Sequence, residues 1–411
     1  MKLSAKTVVV LGFALGQLGS GIAFAADGAV SEYRIPEQLF SGEARGPHRT
    51  GTFEELWVDP QRDDPTTSSP LDRRHLMVQV WYPATFKGDP QRAVYALNAE
   101  LYPRDARSPL PDRAKSVRTT SVLNAPLIAT PHRLPVLIYN PGAGYPPYSA
   151  TFQTEFLASH GYVVVSVGHT DVTGIRRFPD GYVYRRDRNM PGIDNERRRS
   201  MTASEQLGSW IKQISGWQTS LHVEDISFVL DRLQSMATTR GSFFYQRLDF
   251  DRVGALGWSL GGAASIQASR DDPRIKAAAN FDGRLYTDAA NTGTRRPLLQ
   301  MHAERRRTDT PTPAERETQL LGDSLFWRLY SQSAADWYDL TLNGASHRHF
   351  SDATLMEPLE PGYMHPRLAH DITNAFTLEF FDKYLRGRVV TPLLSGSMRF
   401  ADTELMRSDA P

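Results

Sequence analysis

Three residues of this chain have the types and the order needed to open an ester or amide through a covalent serine intermediate: Ser259, Asp282 and His347. Such a reaction needs a serine hydroxyl, a histidine to take its proton, a carboxylate to hold the imidazole in one tautomer, and N–H donors for the developing oxyanion. Ser259 lies in Gly257-Trp258-Ser259-Leu260-Gly261, a match to G-x-S-x-G. In that motif the serine stands on a sharp strand-to-helix turn, and the flanking glycines leave room for neighbouring backbone. Five residues this loosely defined also describe an ordinary Gly/Ser turn. What separates the two readings here is context, because an apolar run precedes the motif and small residues able to open a helix follow it.

The acid and the base each have rivals. Asp282, before Gly283, follows the next apolar run, while Glu304 and Asp309 follow the one after that. For the base, His347 stands directly after a strand-like run, with His349, His365 and His370 nearby. His347 and His349 also form an H-x-H pair of the kind that ligates metal, but no third ligand has usable spacing. The oxyanion donors expected are the backbone N–H groups of Leu260 and of Ala143, the latter in the loop Asn140 to Gly144.

The elements that must hold these residues are legible as alternating strands and helices. Leu134 to Asn140 and Gly161 to Val167 are continuous apolar runs, with a helical segment from about Ser149 to His160 between them. Ile275 to Phe281, Pro297 to His302 and Trp337 to Leu342 read as further strands. Unbroken apolar strands alternating with helices predict an α/β fold, a mostly parallel sheet with helices on both faces. Val223, Ile226, Leu230 and Leu233 mark one buried helix face, and Ile372, Ala375, Phe376, Phe380 and Tyr384 another. Upstream, Leu76 to Pro83 is the clearest strand among turn signals such as Gly46-Pro47, Asp59-Pro60 and Asp64-Pro65.

The chain has 411 residues, enough for one large domain with additions. It has no cysteine, which excludes a thiol nucleophile, Cys-ligated zinc and disulfides. Lys2 and Lys6 precede the apolar run Val8 to Leu15, and Ala23-Phe24-Ala25 supplies a small-residue cleavage site, so residues 1–25 read as a secretory signal peptide. A retained membrane anchor is the alternative, weakened by Gln17, Ser20 and several glycines. The formal net charge of +1 leaves no footprint for nucleic acid. The polar stretch Val172 to Arg199 is long for a plain connection and reads as a functional insertion or lid. The clusters Arg176-Arg177, Arg185-Arg186, Arg197-Arg198-Arg199 and Arg305-Arg306-Arg307 read most simply as solvated loop charge, and otherwise as attraction for anionic groups near the site.

Taken together, Gly257-Trp258-Ser259-Leu260-Gly261-Gly262, Asn280-Phe281-Asp282-Gly283 and Gly344-Ala345-Ser346-His347-Arg348-His349-Phe350-Ser351-Asp352 resemble the plasma-type platelet-activating-factor acetylhydrolase family and its bacterial relatives. Val78 to Pro83, the loop at Asn140 and Asp225 to Leu230 are similar to it too, so that the resemblance runs from about Gly46 to Arg386. It implies an α/β-hydrolase acting as a calcium-independent serine esterase on short or oxidised acyl chains of phospholipids. It also implies Ser259 as nucleophile, Asp282 as acid, His347 as base, and Leu260 and Ala143 at the oxyanion hole. Asn140-Pro141 departs from the family, where a histidine precedes the glycine, and the arginine-rich insertion after Val172 is a second departure.

The expected organisation is a leader at 1–25, N-terminal strands and loops attached to the main sheet at 26–130, a catalytic core at 131–390 and a C-terminal tail at 391–411. The expected activity is hydrolysis of short-chain carboxylic or phospholipid acyl esters by an exported enzyme, with no cofactor and no metal. Its partners would be a small ester or phospholipid and, peripherally, a lipid surface. A polyester or cutinase-like hydrolase and a catalytically idle envelope protein that binds lipid are the alternatives.

Overall fold

The computed structural model describes residues 46–101, 117–170, 175–186, 217–285, 287–304, 313–356 and 361–408. The leader at 1–25 therefore lies outside the described residues. So do Asp309 and the arginines at 197–199 and 305–307.

The strands are β1 (Arg49–Asp63), β2 (Arg73–Ala84), β3 (Arg92–Val94), β4 (Arg118–Leu123), β5 (Leu134–Asn140), β6 (Val163–Gly168), β7 (Ile175–Arg177), β8 (Val183–Arg185), β9 (Leu248–Trp258), β10 (Ile275–Phe281), β11 (Leu298–Ala303), β12 (Trp337–Leu342) and β13 (Thr403–Arg407). The helices are α1 (Thr151–Ser159), α2 (Thr219–Thr238), α3 (Leu260–Asp271), α4 (Ala289–Thr292), α5 (Pro313–Gln332), α6 (Ala353–Met356) and α7 (Pro366–Arg386). Eleven strands form one sheet in the order β13-β12-β11-β10-β9-β5-β6-β2-β1-β4-β3. From β12 to β6 the neighbours run parallel, while β2 joins β6, and β13 joins β12, antiparallel. This is the α/β-hydrolase architecture.

The unbroken apolar strands are explained by what covers each face. In β5, Leu137 and Tyr139 pack with Leu157 of α1 and with Ile372, Phe376 and Phe380 of α7. Their neighbours Val136 and Ile138 point the other way, against Val223, Ile226, Leu230 and Leu233 of α2 and Ala264 of α3. Alternate side chains thus enter different layers, and both layers are dry. β9 lies at the centre, paired with β5 on one side and β10 on the other, so its C-terminal end is the best-supported point of the sheet.

Three sequence readings change. Asp59-Pro60 is not a turn, because it lies within the long strand β1, where the register against β2 shifts between Asp59 and Asp63. A bulge is one of the few places where a strand accepts proline. Within the segment expected as a tail, Thr403–Arg407 forms β13 on the edge of the sheet. Arg176 is not solvated, since it is 1% exposed and its Nη1 donates to Gly168 O at 3.3 Å, anchoring the β7–β8 hairpin. Arg177 and Arg185 of the same hairpin are exposed.

Phe380 is fully buried between α7 and the sheet. Phe380→Ala should lower the free energy of unfolding in urea by about 3–5 kcal/mol. A loss under about 1 kcal/mol would show that α7 does not form the core of that face.

Candidate active site

The site is assembled where the parallel strands end. Ser259 follows β9 directly and has φ 57° and ψ −125°. A non-glycine residue held there stores about 1–3 kcal/mol of strain and persists only where its surroundings over-determine it. They do so by contact. A Cβ on Gly257 or Gly261 would run into the carbonyl of Asn140 at the end of β5, and one on Gly262 would collide with Asn280 Oδ1. Ser259 N donates to Phe281 O at 2.9 Å, and Ala263 N to Ser259 O at 3.1 Å. The turn is thereby tied to β10 and to the first turn of α3.

Asp282 follows β10 and also has a positive φ, 54°. Its N–H donates to Met301 O at 2.8 Å, and its Oδ1 accepts from Ala303 N at 3.2 Å, so β11 holds both its backbone and its carboxylate. Beneath it, Asn280 Nδ2 donates to Gln300 Oε1 and to Gly283 O, each at 2.8 Å, while Gly283 N donates to Asn280 Oδ1 at 3.0 Å. One buried amide therefore shapes the acid turn and fills the space left open at Gly262.

His347 begins a 3-10 turn after β12. Its Nδ1 is 2.6 Å from Asp282 Oδ2 and its Nε2 is 3.1 Å from Ser259 Oγ. Serine, imidazole and carboxylate are thus in hydrogen-bonded sequence. Because the Asp282 carboxylate accepts from the Nδ1–H, the proton of the neutral imidazole stays on Nδ1 and Nε2 is left to face the serine hydroxyl as acceptor. The imidazole is 47% exposed, open to a ligand on its outer side.

Residues around the histidine set its position. Trp258 Nε1 donates to His347 O at 2.9 Å, and the indole packs edge-on against Tyr145, ring centroids 4.6 Å apart. Gly142 passes so close to the same indole that a Cβ there would lie 2.7 Å from its ring. Glu304 does not reach His347; its Oε2 accepts from Gly344 N at 2.5 Å, closing the loop that leads to the histidine. Asp352 ties the far end of that loop to α1. Its carboxylate accepts from Thr151 N at 2.6 Å and Phe152 N at 3.1 Å, and its own N–H donates to Ser149 O at 2.8 Å. These are donors that a helix N-terminus leaves unpaired within the helix.

The rival histidines have other work. His349 is buried, with Nδ1 accepting from Ser346 N at 2.9 Å and Nε2 facing Met364 O at 2.8 Å, so both nitrogens are occupied by structure. His365 caps α7, accepting from Arg367 N. His370 stacks on Phe152 at 3.7 Å and faces Ser351 O.

Of the two expected oxyanion donors, Leu260 directly follows Ser259, and Ala143 lies in the loop after Asn140, whose carbonyl packs on Gly257 and Gly261. Leu260 is the first residue of α3, ahead of the helical ladder that starts with Ala263 N. Ala143 occupies the second position of a turn closed by Tyr145 N to Gly142 O at 3.0 Å, with Gly144 at φ 80° next to it. That closing bond leaves the Ala143 N–H uninvolved, and only glycine readily takes the following position. Sequence reasoning missed Trp258, Glu304 and Asp352 as supports of the histidine. Only Asp352 carried a signal, as the last residue of the His347-Arg348-His349-Phe350-Ser351-Asp352 segment.

Residues 112–389 match the sequence model of the family described as platelet-activating factor acetylhydrolase, isoform II. A probable 1-alkyl-2-acetylglycerophosphocholine esterase of Arthroderma benhamiae is 31% identical over 164 residues, 39% of this chain and 34% of that protein. The platelet-activating factor acetylhydrolase of Cavia porcellus is 24% identical over 293 residues, 66% of this chain and 62% of that protein. The chain thus spans between a third and two thirds of the length of these curated relatives. Among solved structures, a ferulic acid esterase from Streptomyces cinnamoneus superposes with a TM-score of 0.64 at 26% identity, covering 87% of this chain and 96% of that one.

Burial pushes the Asp352 carboxyl up to about 7, from an ordinary 3.8. The folded state then holds this proton more tightly than the unfolded chain does. The resulting stabilisation is complete below about pH 4 and is lost as pH rises through about 7. The unfolding free energy of the native protein relative to Asp352→Asn should therefore fall between pH 4 and pH 7 in urea titrations. A difference that stays flat over this range would remove Asp352 as the titrating group.

Proposed function

The chain belongs to the platelet-activating factor acetylhydrolase, isoform II, family, and from that premise we propose that it hydrolyses short-chain carboxylic or phospholipid acyl esters through an acyl-serine intermediate. The observation that carries this reading is the hydrogen-bonded sequence Ser259–His347–Asp282, with the serine on a strained turn. In the proposed reaction Ser259 Oγ attacks the ester carbonyl while His347 Nε2 takes the hydroxyl proton. Asp282 keeps Nδ1 protonated and stabilises the imidazolium so formed. The carbonyl oxygen, now an oxyanion, accepts from the N–H groups of Leu260 and Ala143. Collapse breaks the bond to the alcohol, which leaves with the proton from His347. Water, activated by the same imidazole, then releases the acid and restores Ser259.

Acyl preference is the finer part of the proposal. The relatives named for 1-alkyl-2-acetylglycerophosphocholine and platelet-activating factor support a short acyl chain on a phospholipid, reached by peripheral contact with a lipid surface. A second reading, an aromatic acyl ester, is favoured by the half-buried Tyr145 against Trp258 beside His347 and by the similarity to a ferulic acid esterase. Hydrolysis of p-nitrophenyl acetate, longer acyl esters, a short-acyl phospholipid and methyl ferulate by the purified protein distinguishes the two.

In that assay Ser259→Ala should abolish turnover of every ester while its unfolding midpoint stays near that of the native chain. Asp282→Asn should lower kcat on the order of 10⁴-fold, through loss of the correct histidine tautomer. Glu304→Gln should stay within about tenfold of native, since its carboxylate meets backbone and not the imidazole. A dead Glu304 variant with an active Asp282 variant would reverse the assignment of the acid.

The reading also includes export, with cleavage near Ala25. Expressed with its leader in a bacterial host, the protein recovered outside the cytoplasm should begin at Ala26 by N-terminal sequencing. Recovery of uncleaved chain in the membrane fraction would instead favour a retained anchor.

A further inference from the structure

Behind the loop that carries Ala143 lies a buried polar cluster with no part in the serine–histidine–aspartate sequence. Its centre is Asp225 of α2, which is fully buried. Asp225 Oδ1 accepts from Arg74 Nε at 3.0 Å and Arg62 Nη2 at 2.8 Å, and Oδ2 from Arg74 Nη2 at 2.7 Å and His169 Nδ1 at 2.8 Å. Four bonds are the full capacity of a carboxylate, and an ionised one only accepts. Burial alone would push this carboxyl up, but Arg74 and His169 hold it well below the usual range. His169 Nδ1 is therefore a donor.

The other ring nitrogen, Nε2, lies 3.3 Å from Asn140 Oδ1. Which end of this amide faces the histidine is decided on the opposite side. Ser265 donates its hydroxyl to Gly261 O at 2.8 Å, so its Oγ accepts, and Asn140 Nδ2 is 2.9 Å from it. The same Nδ2 is also turned toward the carbonyls of Leu256, at 3.4 Å, and Ile138, at 3.5 Å, where an amide oxygen would be repelled. The oxygen of Asn140 therefore faces His169, and Nε2 donates as well. A histidine that donates from both nitrogens is an imidazolium.

The charged and titratable groups around it fit that state. From α2 come Asp225 and His222, the latter stacked flat on His169 at 3.6 Å. β2 contributes Arg74, which also reaches Asp64 at 3.3 Å and Thr170 Oγ1 at 2.6 Å. β1 contributes Arg62, bound to Asp59 at 2.7 Å and to the exposed Glu224 at 3.2 Å. Among the described residues the buried carboxylates of Asp59, Asp64 and Asp225 stand against Arg62, Arg74 and the two-donor ring of His169.

We propose that His169 is held as an imidazolium and that, through Asn140, it fixes the loop carrying the Ala143 N–H against the Ser259 turn. Asn140 is the hinge of both, for its side chain is gripped by His169 and Ser265 while its carbonyl packs on Gly257 and Gly261. His169 touches no reacting atom and is a positioning residue. The second half of this proposal rests on the esterase reading; the protonation state does not.

The experiment has two arms. In the first, ¹⁵N NMR of ring-labelled histidines in the full protein reads the two nitrogens of His169 at pH 8. Both in the protonated range supports the proposal, and one nitrogen in the unprotonated range overturns it. This arm needs no variant and stands even if Ser259→Ala proves as active as the native chain, the outcome that would remove the esterase reading. In the second, His169→Gln should lose about tenfold to a hundredfold in kcat, with KM within about twofold. Affinity for a short-chain trifluoromethyl ketone, which adds to Ser259 as an oxyanion, should fall by the same factor. A folded variant with native kcat and native ketone affinity, or one altered in KM alone, overturns the positioning role. If the variant does not fold, the ring spectrum of the native protein decides.

Discussion

Everything at this site depends on three backbone segments meeting closer than side chains allow. The end of β5, the turn after β9 and the turn after β10 converge around Asn140, Ser259 and Asp282. Glycine at 257, 261, 262 and 283 is what lets them touch. With any Cβ added, carbonyl or amide oxygens would have to move, and with them the N–H groups and the hydroxyl that the chemistry uses. The strain stored at Ser259 and Asp282 is balanced by bonds across strands, Ser259 N to Phe281 O and Asp282 N to Met301 O, together with the local bonds Ala263 N to Ser259 O and Gly283 N to Asn280 Oδ1. Strand order therefore enters the active site directly. The acid can follow β10 because β10 and β11 are the strands whose ends close over it.

Around this fixed centre the histidine is carried on a more remote support. His347 has Asp282 and Ser259 on one side, the Trp258 indole under its carbonyl, Glu304 at the entry to its loop and Asp352 at the exit. These partners come from the ends of β9, β10 and β11 and from the histidine's own loop, and Asp352 connects to α1, which follows the Asn140 to Gly144 loop. His347 and the loop of Ala143 thus share a mechanical link through the N-terminus of α1. Behind that loop, the Asp225–His169–Asn140 line gives a second link, through Arg74 and Arg62, to β2 and β1.

Much of this was legible in the sequence because parallel strands buried on both faces are written as unbroken apolar runs. The bounds of β5, β10 and β12 could be read residue by residue, with Ser259 and Asp282 directly after β9 and β10 and His347 at the end of the short loop after β12. Other features followed rules that no periodicity records. β1 was obscured by Pro60, which signals a turn everywhere except at a bulge. β13 is a short amphipathic segment whose strand character comes only from the open edge of β12. Arg176 looked like solvated loop charge, but it is buried and its Nη1 donates to the carbonyl of Gly168 at the end of β6. Asn140, His169 and Asp225 are scattered through the chain and join only when β5, β6 and α2 are packed, so their pairing is a tertiary fact.

The strands at the two ends of the sheet have a consequence for the protein in a crowded solution. A long sheet exposes a row of unpaired backbone donors and acceptors at each margin, a template on which a second molecule can build. Here one margin is β3, three residues long and beginning with Arg92, and the other is β13, five residues that include Glu404 and Arg407. Among the described residues the eleven-stranded sheet therefore finishes in short margins that carry charge, two of the features that disfavour edge-to-edge pairing. The long hydrophobic strands that build the site are kept to the interior, with both margins of each already paired.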